Sequence, residues 1–323
     1  MTILDMKTRA LLCAGIVGVG AVLAASAPAQ NLYVAAQKYT DPFDPIELPS
    51  LGNVYEANPG QGISVFAQAL GTIRGLAFNP GGDMFVAVGD IGPTAHITEL
   101  TPGGAKSTYA SGLTTPFDLA FDSSGNLFVS EGGPQLSGAG DDIVEIAPGG
   151  GTPTVFASGL DDPRGLAFNS DGDLFVSTFG GSNILEIAPG GGTPKVFATG
   201  LNEPNGLVFN SAGDLFVADT GSGDITMITP NGIESTFASG LIEPRGLTID
   251  SAGDLFVSSL GTGGVDSDTG YLTEITPDGT ETNFDVGFTD PFGLAFSPVP
   301  EPSAAALMVV GVAGVFIRLR RGF

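Results

Sequence analysis

The 323-residue sequence predicts an all-β repeat fold, and three observations predict it. A short phrase recurs every 40 to 47 residues, each interval holds four strand-like segments, and the composition is hostile to helices. Gly (50 residues) and Pro (23) are turn formers, and charged residues make up 14% of the chain, against about 25% in ordinary domains. The long charged side chains that favour helices are therefore scarce. A hydrophobic content of 42% suits a large core and is too high for disorder. The 35 acids against 11 bases, a formal charge of −24, exclude nucleic acid as a partner, because Lys and Arg must neutralise its phosphates.

The phrase reads IRGLAFNPGGDMFVAV from Ile73, PFDLAFDSSGNLFVSE from Pro116, PRGLAFNSDGDLFVST from Pro163, PNGLVFNSAGDLFVAD from Pro204 and PRGLTIDSAGDLFVSS from Pro244, with a truncated PFGLAFSP from Pro291. Within it Gly75, Asp118, Gly165, Gly206, Gly246 and Gly293 are equivalent, spaced 43, 47, 41, 40 and 47 residues apart. Such periods mean a repeat architecture. In each unit strand a is the GLAF segment, and strand b is the DLFVS segment reached through a tight turn such as Asn169–Gly172. Strand c is represented by Ile143–Ile146 and Ile184–Ile187, and strand d by Thr154–Ala157 and Lys195–Ala198. Four strands per 40 to 47 residues describe one propeller blade.

The last strand a, Gly293–Phe296, has no strand b after it. The region after residue 30 supplies three strands that lack a partner strand a: Leu32–Ala35, Val54–Ala57 and Ser64–Ala67. The expected architecture is therefore a six-bladed β-propeller of four-stranded antiparallel blades, closed by one C-terminal strand plus three N-terminal strands. Closure of this kind removes the free sheet edges that invite aggregation.

Two flanking segments read as addresses, giving three regions: 1–29, 30–299 and 300–323. Residues 1–29 place Lys7 and Arg9 before an apolar run from Ala10 to Ala25, followed by small residues that fit cleavage after Ala27 or Ala29. This is the pattern of a secretory signal peptide. The single cysteine, Cys13, lies in that run behind Leu12, where a lipoprotein signal wants a small residue, so the exported chain is expected to contain no disulfide. Residues 300–323 carry Pro300-Glu301-Pro302, then an apolar stretch from Ala304 to Ile317, then Arg318, Arg320 and Arg321. As a helix the apolar stretch is about 21 Å long, a short membrane span with its arginines on the cytoplasmic side.

This three-part tail resembles the PEP-CTERM sorting signal of Gram-negative bacteria that make extracellular polysaccharide. The resemblance implies an exosortase-type partner, a transient hold in the membrane through the tail, and delivery to the cell surface or matrix. The repeated phrase is similar to the NHL repeat and, more distantly, to the gluconolactonase and luciferin-regenerating propellers. That likeness implies the propeller fold. It leaves activity open, because these folds serve lactonases, lyases and binding modules alike.

Functional residues are expected where blades depart from the repeat. Glu56, Glu99, Glu145, Glu186 and Glu274 recur at one strand-c site, and Asp83, Asp173, Asp214 and Asp254 with Asn126 follow a turn glycine, so both sets read as structural. The residue before the strand-a glycine varies: Arg74, Phe117, Arg164, Asn205, Arg245 and Phe292. Region 30–299 holds six basic residues, and its three arginines all stand at this position. They fall on alternate blades around the channel mouth. Two readings follow. Either they bind an anion such as a carboxylated or sulfated saccharide, with Asn205 donating and Phe117 and Phe292 as apolar walls, or they pair internally with acids at strand-b ends, Asp90, Glu131 or Asp219.

Catalytic signals are weak. The lactonase resemblance implies a metal held by a glutamate, an asparagine and an aspartate. Asn205 matches the second, but Arg245 stands where the aspartate belongs, and no E-G-P phrase opens the first blade. His96 is the only histidine, and the GG strings are turns rather than phosphate-binding loops. Asp266-Ser267-Asp268-Thr269-Gly270 resembles the start of a calcium loop, yet its twelfth position is Pro277 instead of glutamate. No catalytic residue, cofactor or metal ligand is therefore expected. The reading is a noncatalytic binding or scaffold module, with a lactonase or lyase as the alternative.

Overall fold

The computed structural model describes residues 30–37, 52–58, 62–68, 70–89, 94–132, 141–263 and 269–298. The expected signal peptide with Ala27 and Ala29, the tail from Pro300 to Arg321, Asp90 and the Asp266–Asp268 loop lie outside them. The described residues form 23 strands and no helix.

The chain opens with β1 (Leu32–Gln37), β2 (Gly52–Asn58) and β3 (Gly62–Ala67). Four antiparallel sheets of four strands follow. They are β4 (Ile73–Phe78), β5 (Met84–Val88), β6 (His96–Leu100) and β7 (Lys106–Ser111), then β8 (Pro116–Phe121), β9 (Leu127–Glu131), β10 (Asp142–Ile146) and β11 (Thr154–Ala157). The next two are β12 (Pro163–Phe168), β13 (Leu174–Thr178), β14 (Asn183–Ile187) and β15 (Lys195–Thr199), then β16 (Pro204–Phe209), β17 (Leu215–Asp219), β18 (Asp224–Ile228) and β19 (Glu234–Ser239). Finally β20 (Pro244–Ile249), β21 (Leu255–Ser259), β22 (Gly270–Ile275) and β23 (Glu281–Phe296) join β1–β3 in a seven-stranded sheet of order β20-β21-β22-β23-β1-β2-β3. These are the sheets of a multi-bladed β-propeller.

The 16-residue β23 serves two neighbours in turn. Glu281 to Phe288 pair with β22, and Thr289 to Phe296 pair with β1, with Leu32 opposite Phe296 and Val34 opposite Leu294. The sequence reading treated the second half as a separate strand. The chain instead passes from one pairing to the other within one strand, with left-handed backbone at Gly287 (φ 101°) and Asp290 (φ 49°).

Aromatic side chains lock neighbouring sheets together. The strand-b residue Phe128 stands edge-on to Phe156 of its own sheet and to Phe168 of the next, with centroids 4.8 and 5.1 Å apart. The same arrangement recurs at Tyr33, Phe85, Phe175 and Phe256. At Phe216 only the partner in its own sheet is aromatic, because Ile249 replaces the next strand's Phe. Strand b is buried throughout in β5, β9, β13, β17 and β21, so it carries the core while strand a faces the channel. Edge-on aromatic pairs of this kind add about 0.5–1.5 kcal/mol each beyond area burial.

The repeat-wide Asx hairpin is equally regular. The side chains of Asn79, Asp122, Asn169, Asn210 and Asp250 each accept the backbone N–H of the residue four positions on. The acids and Asn126 that follow the turn glycine thus occupy a structural hairpin, in keeping with their repetition.

Candidate functional site

Each strand a begins with a bulge. Register shifts separate Ile73 from Leu76, Pro116 from Leu119, Pro163 from Leu166, Pro204 from Leu207 and Pro244 from Leu247. A bulge re-aims the side chain it carries, and here it covers the variable residue and the glycine after it. The residue before the proline is left-handed at Asp162, Glu203, Glu243 and Asp290, with φ between 49° and 56°. That turn brings an acidic side chain back towards the variable position two residues on.

The glycine after the variable residue is required by close approach. A Cβ at Gly165 would lie 2.2 Å from the Asn205 carbonyl oxygen, one at Gly206 2.4 Å from that of Arg245, and one at Gly293 2.6 Å from that of Arg74. Three serines of strand b stitch the same layer. The Gly165 N–H donates to Ser177 Oγ (2.8 Å), which donates to the Asn205 carbonyl (2.6 Å), and Ser258 does the same between Gly246 and Phe292. Ser130 links Asp118 to Arg164 likewise.

Five of the six variable residues share one cavity, with Arg164 beside it. Arg74, Phe117, Asn205, Arg245 and Phe292 line one cavity of about 40 Å³ together with Asp118. The Arg74 guanidinium sits 4.0 Å above the Phe117 ring and 5.9 Å from that of Phe292, and Arg245 sits 4.4 Å above Phe292. Phe117 and Phe292 meet edge to face at 6.5 Å. Arg164 lies 4.9 Å from Phe117 and packs on Phe179 at 3.2 Å, a residue the sequence reading did not single out. The mouth is thus a ladder of cations and rings.

Arg164 and Arg245 do pair with acids, and among the described residues these are not the strand-b acids Glu131 and Asp219; Asp90 lies outside the described residues. Arg164 Nη2 is 3.0 Å from Asp162 Oδ2. Arg245 bonds Asp290 and lies 3.5 Å from Glu243 Oε2. These acids precede a strand-a proline: Asp162 and Glu243 are brought back to their own arginine by the left-handed turn, and Asp290 reaches Arg245 from the neighbouring strand a. Glu131 instead accepts from the Thr114 N–H, and Asp219 accepts from the Thr226 hydroxyl at 2.9 Å. Burial lowers the Arg164 pKa most, Asp162 opposes that, and repulsion from Arg74 and Arg245 adds to the lowering. Three like charges therefore feel one another across the channel.

Asp118 takes the position that is glycine in the other five repeats. Its carboxylate reaches the neighbouring sheet, where Oδ2 accepts the Leu166 N–H at 2.9 Å, and it borders the cavity. Desolvation pushes its pKa up to about 6, against partial relief from the Leu166 and Leu119 N–H groups. The departure was visible in the sequence alignment of repeats but carried no role there. Asn205 is 7% exposed, and its Nδ2 has no acceptor among the described residues.

The remaining candidates sit apart. His96 Nδ1 lies 2.7 Å from the Thr94 carbonyl at the start of β6. Glu99, one of the repeated strand-c acids, accepts from Ser107 Oγ at 3.0 Å. Among the described residues no three His, Cys, Asp or Glu side chains group as a metal site, and no helix is long and apolar enough to cross a membrane.

No family model and no curated protein sequence matches the chain. Solved structures do. The chain is 19% identical to a chain of the nidogen/laminin complex, with a TM-score of 0.65 over 84% of this chain and 99% of that one. It is 19% identical to a gluconolactonase of Xanthomonas campestris, with a TM-score of 0.54 over 64% of this chain and 75% of that one. A putative gluconolactonase is 16% identical, with a TM-score of 0.54 over 81% and 94%. At these identities the likeness is one of fold, and it places the chain among the β-propellers.

Proposed function

We propose that the chain is a six-bladed propeller, exported to the cell surface or extracellular matrix of a Gram-negative bacterium. There it acts as a noncatalytic binding or scaffold module, with an anionic saccharide as the ligand class. The six-blade count is supported by treating the seven-stranded sheet as two blades sharing β23, one ending at Phe288 and one beginning at Thr289. The aromatic wedge at Phe256, between Phe284 and Phe296, is then equivalent to those between the other sheets.

The observation that carries the binding reading is the filled mouth. Its arginines and rings engage one another and leave about 40 Å³. A substrate ring has no enclosed place to react, whereas a saccharide carboxylate approaching end-on meets cations on an apolar rim. The tail supports the location. Gln30 and Pro298 border the opposite end of the channel, so a tether following Pro298 would hold the arginine mouth away from its anchor. The proposed partners are an exosortase-type enzyme, the membrane through residues 304–317 before processing, and polysaccharide or other surface proteins afterwards. One similar fold was solved as a nidogen/laminin complex, a propeller assembled with another protein.

A second reading, a gluconolactonase-like or streptogramin-lyase-like enzyme at the same mouth, is favoured by Asn205, whose amide borders the cavity. Lactone hydrolysis assays with and without divalent ions separate the two. The binding reading expects no turnover and no stoichiometric metal, and turnover that depends on Asn205 would replace it. Mass spectrometry of the mature protein tests the address: loss of residues 1–27 or 1–29 and cleavage near Pro300–Pro302 are expected, and an intact Phe323 in a host with an exosortase would refute the processing.

A further inference from the structure

We propose that the channel mouth takes up a single carboxylate-sized monovalent anion, bound by Asn205 Nδ2 and the Arg74 and Arg245 guanidiniums, and that this uptake is coupled to protonation of Asp118. The inference builds on the ligand site proposed above and names the chemical group that enters it.

Four observations carry it. The cavity is bordered by two guanidiniums and one amide, and its volume of about 40 Å³ accommodates a formate, an acetate head or a halide. Asn205 is more than nine-tenths buried, and its Nδ2 lacks an acceptor among the described residues, which is the condition a bound acceptor would relieve. The Arg164 Nε, just outside the cavity, is likewise without one among the described residues. Finally, the cavity's one acid, Asp118, replaces glycine in this repeat alone.

Asp118 sets the sign of the coupling. The charged groups that border the cavity with it are Arg74 on β4 and Arg245 on β20, the latter paired with Asp290 and Glu243; Arg164 on β12, paired with Asp162, lies just outside. Ionised, the Asp118 carboxylate repels an incoming anion at close range. Protonated, it leaves the cavity one unit more positive and offers an O–H donor. Burial already favours the neutral form, with a pKa near 6. Anion binding must therefore raise that pKa further, and by reciprocity low pH must tighten the anion. Proton and anion enter together, and no net charge is added to the channel.

The test is an NMR titration of the purified chain with ¹³C-formate between pH 5 and 8, with Asp118→Asn and Asn205→Asp as isosteric variants. One saturable site is expected at pH 5. Its Kd should be flat below the Asp118 pKa and rise about tenfold per pH unit above it, the limit for one coupled proton. Asp118→Asn should bind formate with a Kd that does not change over the range, and Asn205→Asp should lose at least tenfold in affinity at every pH. Absence of saturable binding at pH 5, a pH dependence that survives Asp118→Asn, or unchanged affinity in Asn205→Asp would overturn the proposal. A parallel titration with a uronate oligosaccharide separates this inference from the saccharide reading. Formate binding without uronate binding keeps the anion site and removes the saccharide. Uronate binding that ignores both variants keeps the saccharide and removes the anion site.

Discussion

The two ends of the channel draw on the same inner strands, β4, β8, β20 and β23 among them, and differ in kind. At one end the variable residues of strand a close the passage to about 40 Å³ with guanidiniums, rings and an amide. At the other, Phe78, Phe121, Ile249 and Phe296 border a wide opening of about 560 Å³, beside Gln30 and Pro298. The repeat conserves an apolar residue at the wide end, because that side chain wedges between sheets, as Phe168 and Phe296 do. The bulge at the narrow end points its residue into the channel, away from the wedge between sheets, so the repeat's core does not dictate its identity. The lesson is that freedom from the repeat, rather than burial or charge alone, marks where ligand chemistry can be written.

Deleting residues 290–299 removes the strand that both ends share through β1, and it should cost the most. A loss of about 5 kcal/mol or more, a large part of ordinary domain stability, would appear as a collapsed or non-cooperative urea transition. Unchanged melting would mean that the β1–β23 pairing does not close the ring. Next comes the waist between the two ends. A Cβ at Gly246 would lie 2.0 Å from the Phe292 carbonyl oxygen, so Gly246→Ala should destabilise by about 3 kcal/mol in equilibrium denaturation. A neutral outcome would show that the layer is looser than described.

Stability against pH sharpens the comparison, since Asp118 belongs to the narrow end alone. Its folded pKa of about 6 lies above the ordinary value of 3.8, so the folded state holds the proton more tightly. The stability it confers is complete below about pH 4 and is lost as pH rises through 6, a fall of at most about 3 kcal/mol. Asp219, also pushed up to about 6 by desolvation, acts in the same direction. Asp118→Asn should therefore remove about half of the decline measured by denaturation between pH 4 and 7, and an unaltered decline would place the titration elsewhere.

Smaller effects follow at the arginine ladder. Arg164→Ala strands Asp162, whose side chain is 12% exposed, and should cost about 2 kcal/mol. Asp162→Asn should cost less, because the amide can still accept from the guanidinium. Equal losses would assign the energy to packing on Phe179 rather than to charge. Ser177→Ala should cost only about 1 kcal/mol in the same assay, since Ala35, Ala87 and Ala218 already stand at the equivalent position. A larger loss would show that the stitched and unstitched blades are not interchangeable.

Much of the scaffold was legible because its signals are local and repeated. The GLAF and DLFVS phrases mark strands a and b directly, and Leu32–Ala35 pairs with the truncated last phrase as its unmatched strands require. The continuity of β23 was hidden, since only Gly293–Phe296 carries the repeated phrase, while the strand begins at Glu281 and passes Gly287 at φ 101°. At the site, the common position of the variable residues accounts for five of them bordering one cavity, with Arg164 beside it. It does not account for the acid partners. Pairing within D-P-R and E-P-R depends on a left-handed residue before proline, and proline ordinarily steers its predecessor to extended backbone. Asp118 was overlooked for a different reason. It fills a structural position, so its departure from glycine looked like tolerance until the Leu166 N–H and the cavity appeared beside it.

The most direct test of the binding account is calorimetric titration of the purified chain with a uronate oligosaccharide and with a neutral oligosaccharide of equal length. The account predicts saturable binding of the uronate alone, weakened at least tenfold by Asn205→Asp. Equal binding of both sugars, or heat that continues with turnover of a lactone substrate, would contradict it.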